Sequence, residues 1–162
     1  MGNLLFSPSG RIGPSEFTKG IMILAVVSAV LTILPLISMS LAMVGGLVSL
    51  VLLFPLFCLL IKRSHDAGKS GWMSIVWFIL FAIIMVVLSQ VVTMVFGGDV
   101  KDAVNAAAES GDLAAVLEVS QSLAKKTAIP SAIAGLVGSF IAAFVINMLN
   151  KADDHENQYG PA

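Results

Sequence analysis

Few side chains in this sequence could do chemistry. It holds two histidines and one cysteine. His65 stands next to Asp66, which on paper is an acid–base pair. His155 stands next to Asp153 and Asp154 near the end of the chain. A metal held by His65, His155 and these carboxylates would need several side chains to converge, and neighbours in sequence seldom reach one atom. Gly68-Lys69-Ser70 mimics the end of a phosphate-binding loop. That loop also requires a glycine where Arg63 stands and a strand ahead of it, so nucleotide binding is not expected. Cys58 has no second cysteine with which to form an intrachain disulfide. The residues point to no enzyme, no cofactor and no metal.

The elements that must position these groups are set by where charge is missing. The chain has 162 residues, of which 57% are hydrophobic and 12% charged. That is about half the charge of an ordinary soluble domain. No formal charge occurs at 20–61, 70–98 or 127–150. A helix rises about 1.5 Å per residue and the hydrocarbon layer is about 30 Å thick, so one crossing takes roughly 20 residues. The first run accommodates two crossings, with Pro35, Ser38, Ser40 and Gly45-Gly46 offering a turn. The reading is an all-α fold, an integral membrane four-helix bundle in a single membrane domain, with spans at 19–39, 43–62, 72–96 and 129–149. A cleaved leader is a rival for the first crossing. Its charged region, the 19 residues ending at Lys19, is long for that purpose.

Charge also predicts orientation. Arg11 and Lys19 precede the first span, Lys62, Arg63 and Lys69 fall between the second and third, and Lys151 follows the fourth. The positive-inside rule places these three segments (1–18, the 62–71 loop and the tail 150–162) together in the cytoplasm. The outer segment 97–128 reads as two short amphipathic helices. Asp99 caps the first, Ser110-Gly111 breaks it, and Asp112 caps the second, with Lys125 and Lys126 at its negative end. Trp72 and Trp77 read as anchors at the lipid interface.

Partners follow from the same pattern. A net charge of −1 gives no basic field for nucleic acid. The lipid bilayer is the expected partner. Small residues recur on the fourth span at Ser131, Gly135, Ser139 and Ala143, beside a second row at Ala134, Gly138 and Ala142. Such rows let backbones approach closely within a chain, or form a homo-oligomer or a contact with another membrane protein. No ionisable residue lies inside the spans, which weighs against coupled transport and predicts a dry interior.

Three polar stretches then carry a resemblance. Phe6, Gly10-Arg11-Ile12 and Ser15-Glu16-Phe17 open the chain; Arg63 to Trp72 form its middle; Asn157-Gln158-Tyr159-Gly160-Pro161 close it. In all three places the sequence resembles the bacterial domain-of-unknown-function family 805, small multi-spanning inner-membrane proteins. The resemblance implies a protein of the inner (plasma) membrane whose biochemical role is unassigned. It departs from the family pattern at Pro14, Thr18, Ser64, Met73 and Gln158, and two of these replace arginines.

Because all three stretches return to one face, they are expected to form a cluster of Arg11, Glu16, Arg63, His65, Asp66, Gly68, Gly71, Trp72, Asn157, Tyr159 and Gly160. In it Arg11 pairs with Asp66 or Glu16, and His65 bonds to the tail. The functional expectation is a structural, accessory or interaction component. The alternative is a binding or transport role toward a lipid headgroup, small anion or protein at the cytoplasmic face. A membrane-embedded chain predicts that alkaline carbonate leaves the protein in the pelleted membranes; release into the supernatant would end this reading.

Overall fold

The computed structural model describes residues 2–153 and 155–160, apart from the side chains of Asp99 and Lys101. Asp99's expected capping role and the contributions of Asp154 and Pro161 lie outside the described residues. Those residues form an all-α bundle with no strand; an isolated bridge joins Asn157 and Gly160. A short α1 (Gly2–Phe6) is followed by α2 (Pro14–Thr32) and a 3-10 turn (Leu34–Leu36). Then come α3 (Met39–Val51), α4 (Leu53–Asp66) and α5 (Met73–Val92). A π-helical turn (Thr93–Gly97) leads into α6 (Gly98–Ser110), and α7 (Leu113–Leu149) completes the set.

Four helical stretches are long and apolar enough to cross a membrane: Pro14–Leu36, Met39–Asp66, Met73–Gly97 and Leu113–Leu149. The first helix begins at Pro14 rather than at the end of the charged segment. Proline suits the first helical turn, where its missing N–H has no intrahelical partner to lose, so Glu16 and Lys19 ride on the helix. The second stretch is interrupted at Leu52, between α3 and α4. Pro55 removes the bond that its N–H would give to Val51 and its ring crowds that carbonyl, which accounts for the break.

The outer connection differs from the expected pair of short helices. Gly111, with φ +71°, ends α6 in the left-handed conformation, and Asp112 caps α7 through bonds from Ala114 N–H (2.9 Å) and Ala115 N–H (3.2 Å). The helix thus started continues without interruption into the fourth span, as one helix of 37 residues. Pro130 falls at the junction of the two parts and is carried inside the helix, which continues past it on both sides. Lys125 and Lys126 therefore lie in mid-helix, not at a helix end. Near 1.5 Å per residue, α7 is roughly 55 Å long and exceeds the bilayer core, with α6 packed on it.

The core lies at the end of the bundle where α4 finishes. Phe17, Ile21, Leu59, Leu60 and Ile146 are almost fully buried there, together with Ile12, Leu56 and Ala143. Trp77 belongs to this core at 5% exposure rather than to the lipid interface, because α5 turns that face toward α4 and α7. Trp72 is the exposed indole, at 79%. Of the small-residue rows, Gly138, Ser139, Ala142 and Ala143 are buried inside the chain. A side chain at Gly138 would collide with Leu88 and Met85 of α5. Toward the other end the packing loosens into cavities of about 160, 230 and 140 Å³. Their walls are mostly aliphatic, with hydroxyls from Ser28, Ser131 and Ser139.

At Gly20 the backbone of α2 lies against the Leu59 side chain of α4. An added Cβ would lie 2.5 Å from Leu59 Cδ2, and Leu59 is fully buried and has nowhere to move. Gly20→Val should destabilise the detergent-solubilised protein by about 1–3 kcal/mol through overpacking. Gly46→Val, which meets nothing within 4 Å, should leave the melting temperature within a degree or two. Equal melting of the two variants would contradict this packing.

Candidate functional site

The polar site forms where α4 ends. A helix terminus leaves carbonyls without intrahelical partners, and at a membrane boundary these must be satisfied locally. Gly68 does this with φ +66°, at which its N–H bonds to the His65 carbonyl and the Lys69 N–H reaches the Ser64 carbonyl, both at 3.0 Å. This is a Schellman closure, which glycine adopts at low cost. It turns the chain sharply toward α5 and leaves the last turn of α4 facing inward.

Arg63, in that last turn, is fully buried. Each of its nitrogens has a partner. Nε donates to Asn147 Oδ1 at 2.8 Å, one terminal nitrogen meets Asp66 Oδ2 at 2.5 Å, and the other donates to the Asn150 carbonyl. Asn150, also fully buried, answers by donating from Nδ2 to the Arg63 carbonyl at 2.7 Å and accepting from Lys69 Nζ at 2.9 Å. Asn147 reaches the other way, donating to Thr18 Oγ1 (3.0 Å) and the Pro14 carbonyl (3.2 Å) on α2. Two asparagines three residues apart, at the end of α7, thus tie α2, α4 and α7 to one guanidinium.

Arg11 supplies the second cation. Its side chain is 5% exposed, and a terminal nitrogen lies 3.4 Å from Asp66 Oδ1, so Asp66 sits between two arginines. The same guanidinium gathers backbone carbonyls from the tail: His155 at 2.8 Å, Gly160 at 3.2 Å, and Asp153. It also takes the Asp66 carbonyl at 3.2 Å. Asp153 N–H bonds to the Asp66 carbonyl at 2.7 Å, which lays the start of the tail along the end of α4. Asn157 and Gly160 then close a tight turn by exchanging backbone bonds of 3.2 and 2.9 Å. Asn157 Nδ2 anchors that turn to the His65 carbonyl at 3.2 Å. The N–H of His155 and the side-chain amide of Asn157 hold the Asp153 carboxyl below its ordinary range.

His65 does not act on Asp66. Its Nδ1 lies 3.2 Å from the Gly10 carbonyl, and its ring stacks on Tyr159 with centroids 3.8 Å apart and planes 6° from parallel. Beside this stack runs an open groove of about 490 Å³, flanked by Trp72, Gly71, Phe57 and Ile75. His155 points to solvent at 92% side-chain exposure, near Asp153 but away from the His65 ring. Among the described residues no three His, Cys, Asp or Glu side chains are grouped so as to hold a metal.

The structure therefore brings Arg11, Arg63, His65, Asp66, Gly68, Asn157, Tyr159 and Gly160 together, with Gly71 and Trp72 along the groove. Glu16 is the exception: it is exposed in the first turn of α2, and Arg11 pairs with Asp66 instead. Missing from the cluster expected on sequence grounds are Lys62, Lys69, Asn147, Asn150 and Asp153. Lys62 is buried and donates to the Asn3 carbonyl at 2.7 Å and to that of Leu4, pinning α1 against α4. Lys69 also lies over the Trp77 ring, 5.4 Å from its centroid, within cation–π range. Asn147 and Asn150 are visible in the sequence as paired amides closing an apolar span. What the sequence could not show is that both face Arg63.

An all-helical bundle with four helices fit to cross a membrane, sealed at one end by a buried arginine–aspartate–asparagine network, is the class that fold and site define. The chain belongs to the family described as "Protein of unknown function (DUF805)", whose model matches residues 5–161. It matches no curated protein and no solved structure.

Removing one partner from a buried ion pair typically costs about 3–5 kcal/mol. Arg63→Met should lower the stability of the solubilised protein by that order. Arg11→Gln should act more locally, raising amide exchange across 153–160 while leaving α5 protected. The Asp153 carboxyl adds a pH dependence: its contribution to the order of the tail is complete above the ordinary aspartate value of about 3.9 and is lost as pH falls through the lower folded value. Tail exchange that is indifferent to both Arg11 and acid would show that these bonds do not hold it.

Proposed function

We propose that this chain is a non-enzymatic multi-pass protein of the bacterial inner membrane, serving as a structural, accessory or interaction component. Both termini and the 62–71 loop face the cytoplasm. The single observation that carries this is the state of Asp66. Its carboxylate lies against Arg63 and Arg11, while the neighbouring histidine turns to Tyr159 and Gly10. Both Asp66 carboxylate oxygens face guanidinium groups and the histidine ring is engaged elsewhere, so the pair suits architecture better than acid–base chemistry. The orientation is supported by the gathering of Arg11, Lys62, Arg63 and Lys69 at one end of the bundle.

A second reading rests on the groove beside His65. An exposed indole at Trp72 and the flat His65–Tyr159 stack offer a surface on which a lipid headgroup, a small anion or a protein segment could dock. This reading makes the protein a binding component without altering its topology.

Cys58 is buried, so introduced thiols can be read against a silent background. An impermeant maleimide applied to intact cells should label Ser110→Cys and should reach Glu156→Cys only after permeabilisation; the reverse pattern overturns the orientation. His65→Phe keeps an aromatic ring against Tyr159 and removes both ring nitrogens. It should leave protein level and rescue of a deletion strain unchanged. Normal abundance with lost rescue would return the case to acid–base catalysis.

A further inference from the structure

One flank of the bundle has a feature that the buried network does not use. Residues 14, 18, 22 and 26, with 15, 19, 23 and 27 beside them, recur at helical spacing and form a single stripe along α2. Together with Asn147 of α7 the stripe bounds an open groove of about 860 Å³. Its two ends differ chemically. At the end where α2 begins, the groove is bordered by Ser15, Thr18, Lys19 and Asn147. Farther along, its walls are Met22, Ile23, Val26 and Val27, and the two valines are exposed on the outside of the bundle. From Pro14 to Val27 the helix rises roughly 20 Å, which fits a polar headgroup at one end and an acyl chain along the rest.

Charge selects the occupant. Arg11, Lys62, Arg63 and Lys69 all donate to protein oxygens. Lys19 lines the polar end of the groove, and among the described residues no hydrogen bond or ion pair engages its ammonium. It lies one turn from Ser15, which is exposed. The depth is right as well, since Asn147 links this end of the groove directly to the Arg63 network at the polar end of the bundle.

We propose that the α2 flank is a binding site for one anionic phospholipid of the adjacent leaflet. Its phosphate is held by Lys19 with Ser15 and its acyl chain lies along Met22 to Val27. The site is separate from the groove at His65. It requires only that α2 cross the membrane.

The test uses the full-length protein in detergent, titrated with phosphatidylglycerol or phosphatidylcholine of the same acyl chains and read by native mass spectrometry and melting temperature. Phosphatidylglycerol should bind preferentially and raise the melting temperature more. Lys19→Ala should reduce that preference about fivefold, equivalent to ~1 kcal/mol for one lysine at an anionic surface. Lys151→Ala, a cation away from the groove, should leave it unchanged. Val26→Trp should weaken both lipids by filling the acyl channel. Equal binding of the two lipids overturns the proposal, as does a preference that survives Lys19→Ala or an equal stabilisation by inorganic phosphate alone. Failure here with intact carbonate resistance and maleimide topology would sink the lipid site and leave the functional reading standing.

Discussion

Arg63 is a charged side chain, wholly buried, in the last turn of a helix otherwise built largely of leucine, phenylalanine and isoleucine. Dehydrating a guanidinium is costly, and the cost is offset only when its donors meet good acceptors and its charge meets an opposite one. Nearly everything at this end of the molecule follows from that requirement. Asp66 is placed one turn on to neutralise it, Asn147 and Asn150 bring acceptors from the end of α7, and the turn at Gly68 keeps Asp66 facing inward. Arg11 then meets the other oxygen of the Asp66 carboxylate and reaches the tail. A buried pair of this kind contributes little net stability by itself. It does specify one arrangement, because any other leaves a charge unpaired.

Among the described residues, the rest of the bundle has no comparable device. Between the polar end and the outer segment the helices meet through aliphatic side chains and through close approach at Gly20 and Gly138. In lipid there is no hydrophobic driving force to bring such faces together, so shape and small residues must do it. This explains why α3 is exposed on nearly every face and why only Gly45 is buried in it. It also explains why the small residues of α7 lie inside the chain: Ala142 and Ala143 are fully buried where α7 crosses α2 and α5.

Much of this is legible in the sequence, for identifiable reasons. Gaps in charge as long as 20–61 leave few options, so the four apolar helices can be read from composition and length. Convergence of the three polar stretches follows from counting crossings. The partner of Arg11 does not, since Glu16 and Asp66 are equal candidates until α2 is found to carry Glu16 outward. The outer segment misleads because Asp112 is a strong start signal and Lys125-Lys126 resembles a stop, whereas no residue between them and the fourth span breaks a helix. Lys62, Asn147 and Asn150 escape notice because their partners are carbonyls and side chains far away in the chain. Backbone acceptors leave no mark in a sequence.

The tail's position in the chain carries its own consequence. Asn150, whose carbonyl serves Arg63, stands only three residues ahead of Asp153, whose carbonyl serves Arg11 together with those of His155 and Gly160. Lifting this one segment away would open both guanidiniums to water at once, because its carbonyls would no longer meet them. Fraying of the tail and wetting of the buried charges are thereby a single event, and the dryness of this end is only as durable as the hold on that segment.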